Sequence, residues 1–244
     1  MIMSARMTRR SALLTLSLAA AAGPALVAAP VSAAPRRRRL TSGARGADVA
    51  EVQVRVAGWA ADSAEQTFLA VDGEFGANTE AAVTRFQEAY SLSPTGEVDG
   101  PTQDALDALT ASDGSTAHFG FDEFHSKDGA EFGEGNVGTS EVKENVRRLM
   151  YKLEAIRTKS GDAPVTINSG FRSLSHNENV GGVPNSQHTY GIAADIVVGG
   201  HSVDDVIGRA QTSGLSGIIR YETFTHVDSR MEYPYGANYW HWDV

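Results

Sequence analysis

Within the stretch SQHTYGIAADI (residues 186–196), His188 stands in a Ser- and Gly-rich turn and Asp195 heads an apolar run. A catalytic zinc commonly takes three His, Asp or Glu side chains and keeps one coordination position for water. His188 and Asp195, with six residues between them, supply two such ligands, and His226, in TFTHVDSR 31 residues further on, supplies the third. That spacing suits a turn and a strand, with the last ligand arriving from a neighbouring strand. Gly191 permits a close turn between the first two, and Ala193 and Ala194 keep the surroundings small. A solvated loop histidine and a strand-end aspartate account for the same pattern without a metal, so spacing alone leaves both readings open.

The elements that must carry these residues follow from periodicity. TSEVKENVRRLMYKLEAIRTKSGD places Val142, Val146, Leu149, Met150, Leu153 and Ile156 on one helical stripe, with Thr139 or Ser140 as the expected cap. APVTINSG and AADIVV read as strands, SVDDVIGRAQTSG as a short helix, and GIIRY with FTHVDSR as a final strand pair. Helices set apart from a mostly antiparallel sheet make residues 118–244 an α+β domain. Upstream, Val49, Val52, Val56 and Trp59 share one helical spacing, and Val83, Phe86 and Tyr90 another that starts near Asn78 or Thr79. GEFGANTEAAV (73–83) and GEVDGPTQDAL (96–106) repeat a glycine turn feeding a short helix at an offset of 23 residues. Residues 40–110 therefore read as an all-α three-helix bundle, and the small, polar segment 111–117 as a linker.

At the N-terminus, Arg6, Arg9 and Arg10 precede the apolar ALLTLSLAAAAGPALVAA, and VSA ends in small residues, so residues 1–33 read as a cleaved signal peptide. Pro24 and Pro30 interrupt the apolar run, which is too short for a good spanning helix, so the mature protein is expected to have no membrane span. The Arg9-Arg10 pair before SALL is similar to a twin-arginine export signal; an ordinary secretion leader fits the same residues. Residues 34–39, with Arg36 to Arg39, form a basic arm. Cleavage removes three arginines and no acids, taking the formal charge from −9 to −12. Such a balance argues against nucleic acid as a partner. The absence of cysteine leaves stability to packing and to any bound metal. Oligomeric state is not legible.

Two resemblances sharpen these readings. GARGADVAEVQ, VDGEFGANTEAAVTRFQ and GEVDGPTQDAL resemble, in order, the peptidoglycan-binding domain of cell-wall hydrolases over about 70 residues; a helical bundle without a ligand is the bland alternative. SQHTYGIAADI is similar to the Ser-x-His-x-x-Gly-x-Ala-x-Asp signature of the zinc D-Ala-D-Ala metallopeptidases, a superfamily that also includes the hedgehog signalling domain. INSGFRS (167–173) and HVD (226–228) match its other landmarks in order.

The resemblance implies a zinc ion on His188, Asp195 and His226, with Arg172 facing the substrate's terminal carboxylate or the carbonyl under attack. Ser186 and Gln187 are candidate substrate contacts, though Ser186 serves a turn equally well. A carboxylate must also accept a proton from the attacking water. Many relatives carry an acid three residues before the last ligand; here that position is Thr223. On a regular strand, residues two apart share a face roughly 6–7 Å apart, which puts Asp228 on His226's side and makes it the first candidate base. An orienting role beside a ligand is its alternative. Glu222 shares the parity from further away, and Glu178 comes next.

The expected function is that of an exported, zinc-dependent peptidoglycan hydrolase, a D-Ala-D-Ala carboxypeptidase or D,D-peptidase acting on stem peptides or cross-links. An endopeptidase cutting elsewhere in the stem or bridge is the enzymatic alternative. A non-catalytic, zinc-containing wall-binding protein is the other, and Thr223 favours it.

Overall fold

Val49 and Val52 pack on one side of a helix that spans Ala47–Arg55 (α1), four residues shorter than the periodicity through Trp59 implies. Val56 is already its C-cap, and Ala57–Trp59 tightens into a 3-10 turn. The computed structural model describes residues 38–61, 67–236 and the backbone of 241–243, so the signal-peptide segment and residues 34–37 of the basic arm lie outside it. Helices Ala77–Ala89 (α2) and Gly100–Ala108 (α3) complete the helical region. Asp99 caps α3 by accepting from the Thr102 amide. The cap of α2 is Gly76, not Asn78 or Thr79, because Thr79 is drawn inward.

That inward turn explains the sequence repeat. Gln53 of α1 is buried, accepts from the Gly73 amide, and donates to the Glu74 carbonyl and the Thr79 hydroxyl. Gln87 of α2 does the same one unit later, accepting from the Gly96 amide and donating to the Glu97 carbonyl and the Thr102 hydroxyl. Each copy is a glycine turn clamped by a buried glutamine from the preceding helix. Gly73 and Gly96 have positive φ (72° and 71°), a conformation that glycine adopts at little cost.

Thr139–Lys159 (α4) follows, capped by the backbone of Gly138 rather than by Thr139 or Ser140. Its predicted stripe faces a sheet built from Val165–Ser169 (β1), Ala193–Val198 (β2), Gly217–Arg220 (β3), Thr225–Asp228 (β4) and His241–Asp243 (β5). Leu174–Asn179 (α5) and Val203–Ala210 (α6) lie between strands in the chain. The sheet order is β1-β2-β4-β3-β5, antiparallel except for the β3–β5 pair.

Periodicity identified only one face of α4. Tyr151 and Ala155, on another, are buried in the core of the helical region, so this helix closes both cores. Gly58 lies so near Ala155 and the Tyr151 carbonyl that a Cβ there would collide with the helix. Across the same seam, Arg147 donates to Glu51 in two bonds of 3.0 Å. Segment 111–117, read as a linker, is a tied turn. The Ala111 amide bonds the Ser115 carbonyl, the Ala117 amide bonds the Leu109 carbonyl, and Ser115 and Thr116 are buried. Arg38 and Arg39, the end of the expected basic arm, pair with Asp48 and Glu97. The described residues belong to one compact unit, and no helix among them is long and apolar enough to cross a membrane.

Candidate metal centre

Sheet register does most of the assembly. Asp195 on β2 and His226 on β4 are direct cross-strand partners, so their side chains rise side by side from one face. His188 comes from the 3-10 turn Gln187–Tyr190, which ends at Gly191 with φ 74°. A Cβ at Gly191 would sit 2.8 Å from the Val142 carbonyl oxygen, so glycine is needed for space as well as conformation. The β1–β2 register shifts between Ile167 and Ser169, and the chain then turns to deliver Gly170 and Arg172 to the site.

His188 Nδ1 donates to the Gly170 carbonyl oxygen (2.6 Å), which leaves the Nε2 lone pair facing inward. His226 Nε2 donates to Asp228 Oδ2 (3.1 Å), which leaves Nδ1 facing inward. These two nitrogens lie 3.1 Å apart, and Asp195 Oδ1 lies 2.8 Å from His226 Nδ1 and 3.2 Å from His188 Nε2. A zinc tetrahedron with bonds of about 2.0–2.1 Å has edges of roughly 3.3–3.4 Å. Three buried acceptors thus converge at nearly that spacing, and a small divalent cation satisfies all three.

The family model described as Peptidase M15 matches residues 117–228, and that of a peptidoglycan binding domain matches residues 45–106. Over 180 residues the chain is 37% identical to the zinc D-Ala-D-Ala carboxypeptidase of Streptomyces albus G, covering 74% of this chain and 69% of that protein. The chain belongs to the peptidase M15 family.

In this M15 peptidase the electrostatics favour cation binding. Burial opposes ionisation of Asp195, but bonds from His188 and His226 outweigh it and hold the carboxyl well below its usual range. Burial lowers the pKa of His188, keeping that imidazole neutral. Burial also disfavours charge on His226, yet Asp195 and Asp228 prevail and raise its pKa. The raised pKa means that a cation bound at His226 Nδ1 competes with a proton for that nitrogen. Arg172 donates from Nη2 to Asp195 Oδ2 (2.7 Å) and from Nε to Ser169 Oγ (2.9 Å), so only Oδ1 of Asp195 turns to the trio.

The trio opens on a cleft of about 560 Å³. Arg172, Ser186 and Gln187 line it, and Oε1 of Gln187 is buried with no hydrogen-bond partner. Val180 and Val183, among the few exposed large apolar residues described, form part of its wall. Asp228 shares His226's face, as strand parity implies, but it lies behind the ring and outside the cleft lining. Its other contacts are with Arg230, whose Nε reaches Oδ1 at 2.8 Å and Oδ2 at 2.9 Å. Burial works to raise its pKa, but Arg230 and His226 bring it down to about 2, a poor value for accepting a proton near neutrality. Glu222 and Thr223 are exposed in the β3–β4 turn, and Glu178 is exposed on α5; none lines the cleft. Among the described lining residues, Asp195 is the only carboxylate.

Sequence reasoning missed two residues here. Arg230 clamps Asp228 and lines the cleft, and its only signal was an arginine two positions after HVD. Tyr221 lines the cleft from the end of β3, two residues before the position that drew attention as Thr223. Of the remaining histidines, His118 pairs with buried Glu154 and His201 with the Ser160 carbonyl, both as loop groups tied to α4. In the C-terminal aromatic run, Tyr235 stacks on Tyr190 (4.2 Å between ring centroids) and on Tyr233 (5.3 Å), which is a packing role; Tyr239 and Trp240 lie outside the described residues.

Proposed function

We propose that this chain is an exported wall enzyme that uses zinc on His188, Asp195 and His226 to remove the terminal D-alanine from peptidoglycan stem peptides. The observation that carries the reading is the convergence of three buried acceptor atoms within hydrogen-bond distance of one another at the floor of an open cleft. When bound there, zinc supplies Lewis-acid polarisation of the peptide carbonyl and activates water for attack. Arg172 is assigned to the substrate's C-terminal carboxylate, for which a guanidinium held by Ser169 and Asp195 is already oriented. Ser186 and Gln187, which line the cleft, are assigned to the substrate backbone. Asp228, bonded to His226 and Arg230, is assigned to holding the His226 ring rather than to proton transfer, and Glu222 at the hairpin tip is given no step. Residues 40–110 are assigned to holding peptidoglycan, which raises the local concentration of an insoluble substrate. Export rests on the N-terminal sequence alone.

Two observations keep other readings in view. The cleft of about 560 Å³ is larger than a terminal D-alanine needs, which suits an endopeptidase, and among the described residues no carboxylate other than Asp195 lines it, which suits a wall-binding protein with structural zinc. Mass spectrometry of purified muropeptides treated with the zinc-loaded, full-length mature protein separates the three. Loss of one terminal alanine from pentapeptide stems supports the proposal. Products cut within the stem or bridge transfer it to the endopeptidase reading, and intact muropeptides leave the binding protein.

A further inference from the structure

Tyr221 follows β3 directly and is two residues beyond Ile219, so the two share a face of the strand. Ile219 is the direct β3 partner of His226, which is in turn the partner of Asp195. The row of metal ligands therefore runs straight into this edge, and both Ile219 and Tyr221 line the cleft beside the trio. The Tyr221 ring is held by stacking on Phe224, with centroids 4.3 Å apart and planes 13° apart, and its amide bonds the Phe224 carbonyl across the turn. Its hydroxyl has no hydrogen-bond partner among the described residues. The half-buried ring is thus positioned with an uncommitted O–H at the cleft.

We propose that Tyr221 is a catalytic residue whose hydroxyl donates a hydrogen bond to the carbonyl oxygen of the scissile peptide as negative charge builds there. This inference rests on the proposed peptidase function. Arg172 lies on the β1 side of the trio and Tyr221 on the β3 side, so a short C-terminal peptide laid across the metal ligands meets one at its carboxylate and the other at its carbonyl. Partial burial and the Asp195 charge raise the tyrosine's pKa, with Arg172 opposing, so the hydroxyl keeps its proton and acts as a donor at neutral pH. The role needs no proton transfer, and the hydrogen bond strengthens only as the oxygen becomes anionic, which is the condition for accelerating the chemical step.

Tyr221→Phe keeps the ring and its stacking on Phe224 and removes only the hydroxyl. The expected result is a kcat lower by about 10²–10³-fold, the usual worth of one such donor, with KM within about twofold and zinc content unchanged. Affinity for a phosphinate analogue of the tetrahedral adduct should fall by a comparable factor, while affinity for the dipeptide D-Ala-D-Ala stays the same. A variant with near-native kcat, or one that loses only KM or its zinc, overturns the proposal. Wild-type cleavage of a D-Ala-D-Ala stem peptide is measured alongside. If the wild type cleaves it and Tyr221→Phe cleaves it equally well, this proposal alone fails; if the wild type is inert, the function beneath it fails.

Discussion

The helical region and the metal region both bury polar side chains, and they treat them in opposite ways. Around Gln53 and Gln87 the clamp closes: the side-chain amide meets carbonyl and hydroxyl acceptors, and the side-chain oxygen meets a glycine amide. Around His188, Asp195 and His226 the outer atoms are satisfied by Gly170, Arg172 and Asp228, while three inner acceptors face one another. A buried polar group with its partners is architecture. A buried set that needs a cation to complete it is a site. Both kinds meet at α4, whose Val142 and Val146 pack under the sheet while Tyr151 and Ala155 complete the helical core.

The comparison breaks most sharply if the open cluster does not need its cation. His188→Ala or His226→Ala should abolish zinc retention, read by elemental analysis at one zinc per wild-type chain. Activity should fall by more than the roughly 10–100-fold expected for losing an outer partner. Full zinc occupancy in the double variant would rule out the trio.

Next in size is the shared helix. Deleting residues 40–109 strips Tyr151 and Ala155 of their cover, so hydrolysis of a small soluble peptide should fall along with hydrolysis of whole sacculi. Tyr151→Ala should cost about 3–5 kcal/mol in urea unfolding, as large-to-small core changes do, and should move both regions in one transition. A truncated enzyme with native turnover of the small peptide would show the two regions to be independent.

Asp228→Asn separates orientation from proton transfer. With Asp228 holding His226, zinc affinity should drop by about 10–100-fold. A loss of about 10²–10⁴-fold in kcat with zinc affinity intact would instead make it the base.

The closed clamp predicts a smaller, purely structural effect. Gln87→Ala leaves the Gly96 amide without its partner and removes one of the two donors to the Glu97 carbonyl, and should cost about 1–3 kcal/mol, with zinc content unchanged.

The smallest effect concerns pH. His226 has a raised pKa in the folded, metal-free protein, so its contribution to stability is complete below the ordinary imidazole value of 6.5 and is lost as pH rises through the folded value. Metal-free protein should therefore lose this contribution above pH 6.5, while zinc affinity rises over the same range because binding expels that proton. Melting curves with and without zinc across that range measure both trends.

Much of the fold was legible because single-face periodicities are strong where one side is buried. The β2 run Ala193–Val198, the β3–β4 pair and the stripe on α4 follow the sequence pattern closely. Caps were misplaced because a threonine or asparagine near a helix start looks like a cap, whereas Gly76 and Gly138 perform that role through their backbones. The glutamine clamps were not anticipated, since the turns repeat every 23 residues but the glutamines stand 34 apart, at 53 and 87.

By itself the sequence determined which side chains have metal-ligand chemistry, their chain order, and the strand parity that puts Asp195 on one face of its strand and His226 with Asp228 on one face of theirs. Tertiary structure decided what parity cannot express. It selected Nδ1 of His226 for the trio and Nε2 for Asp228, turned Asp228 toward Arg230, and brought Tyr221 rather than an acid to the cleft. It also gave α4 its second buried face. The physical reason is that periodicity reports how one segment meets one surface. A ring's orientation and a helix's second neighbour depend on groups from distant segments, and those meet only when the chain is packed.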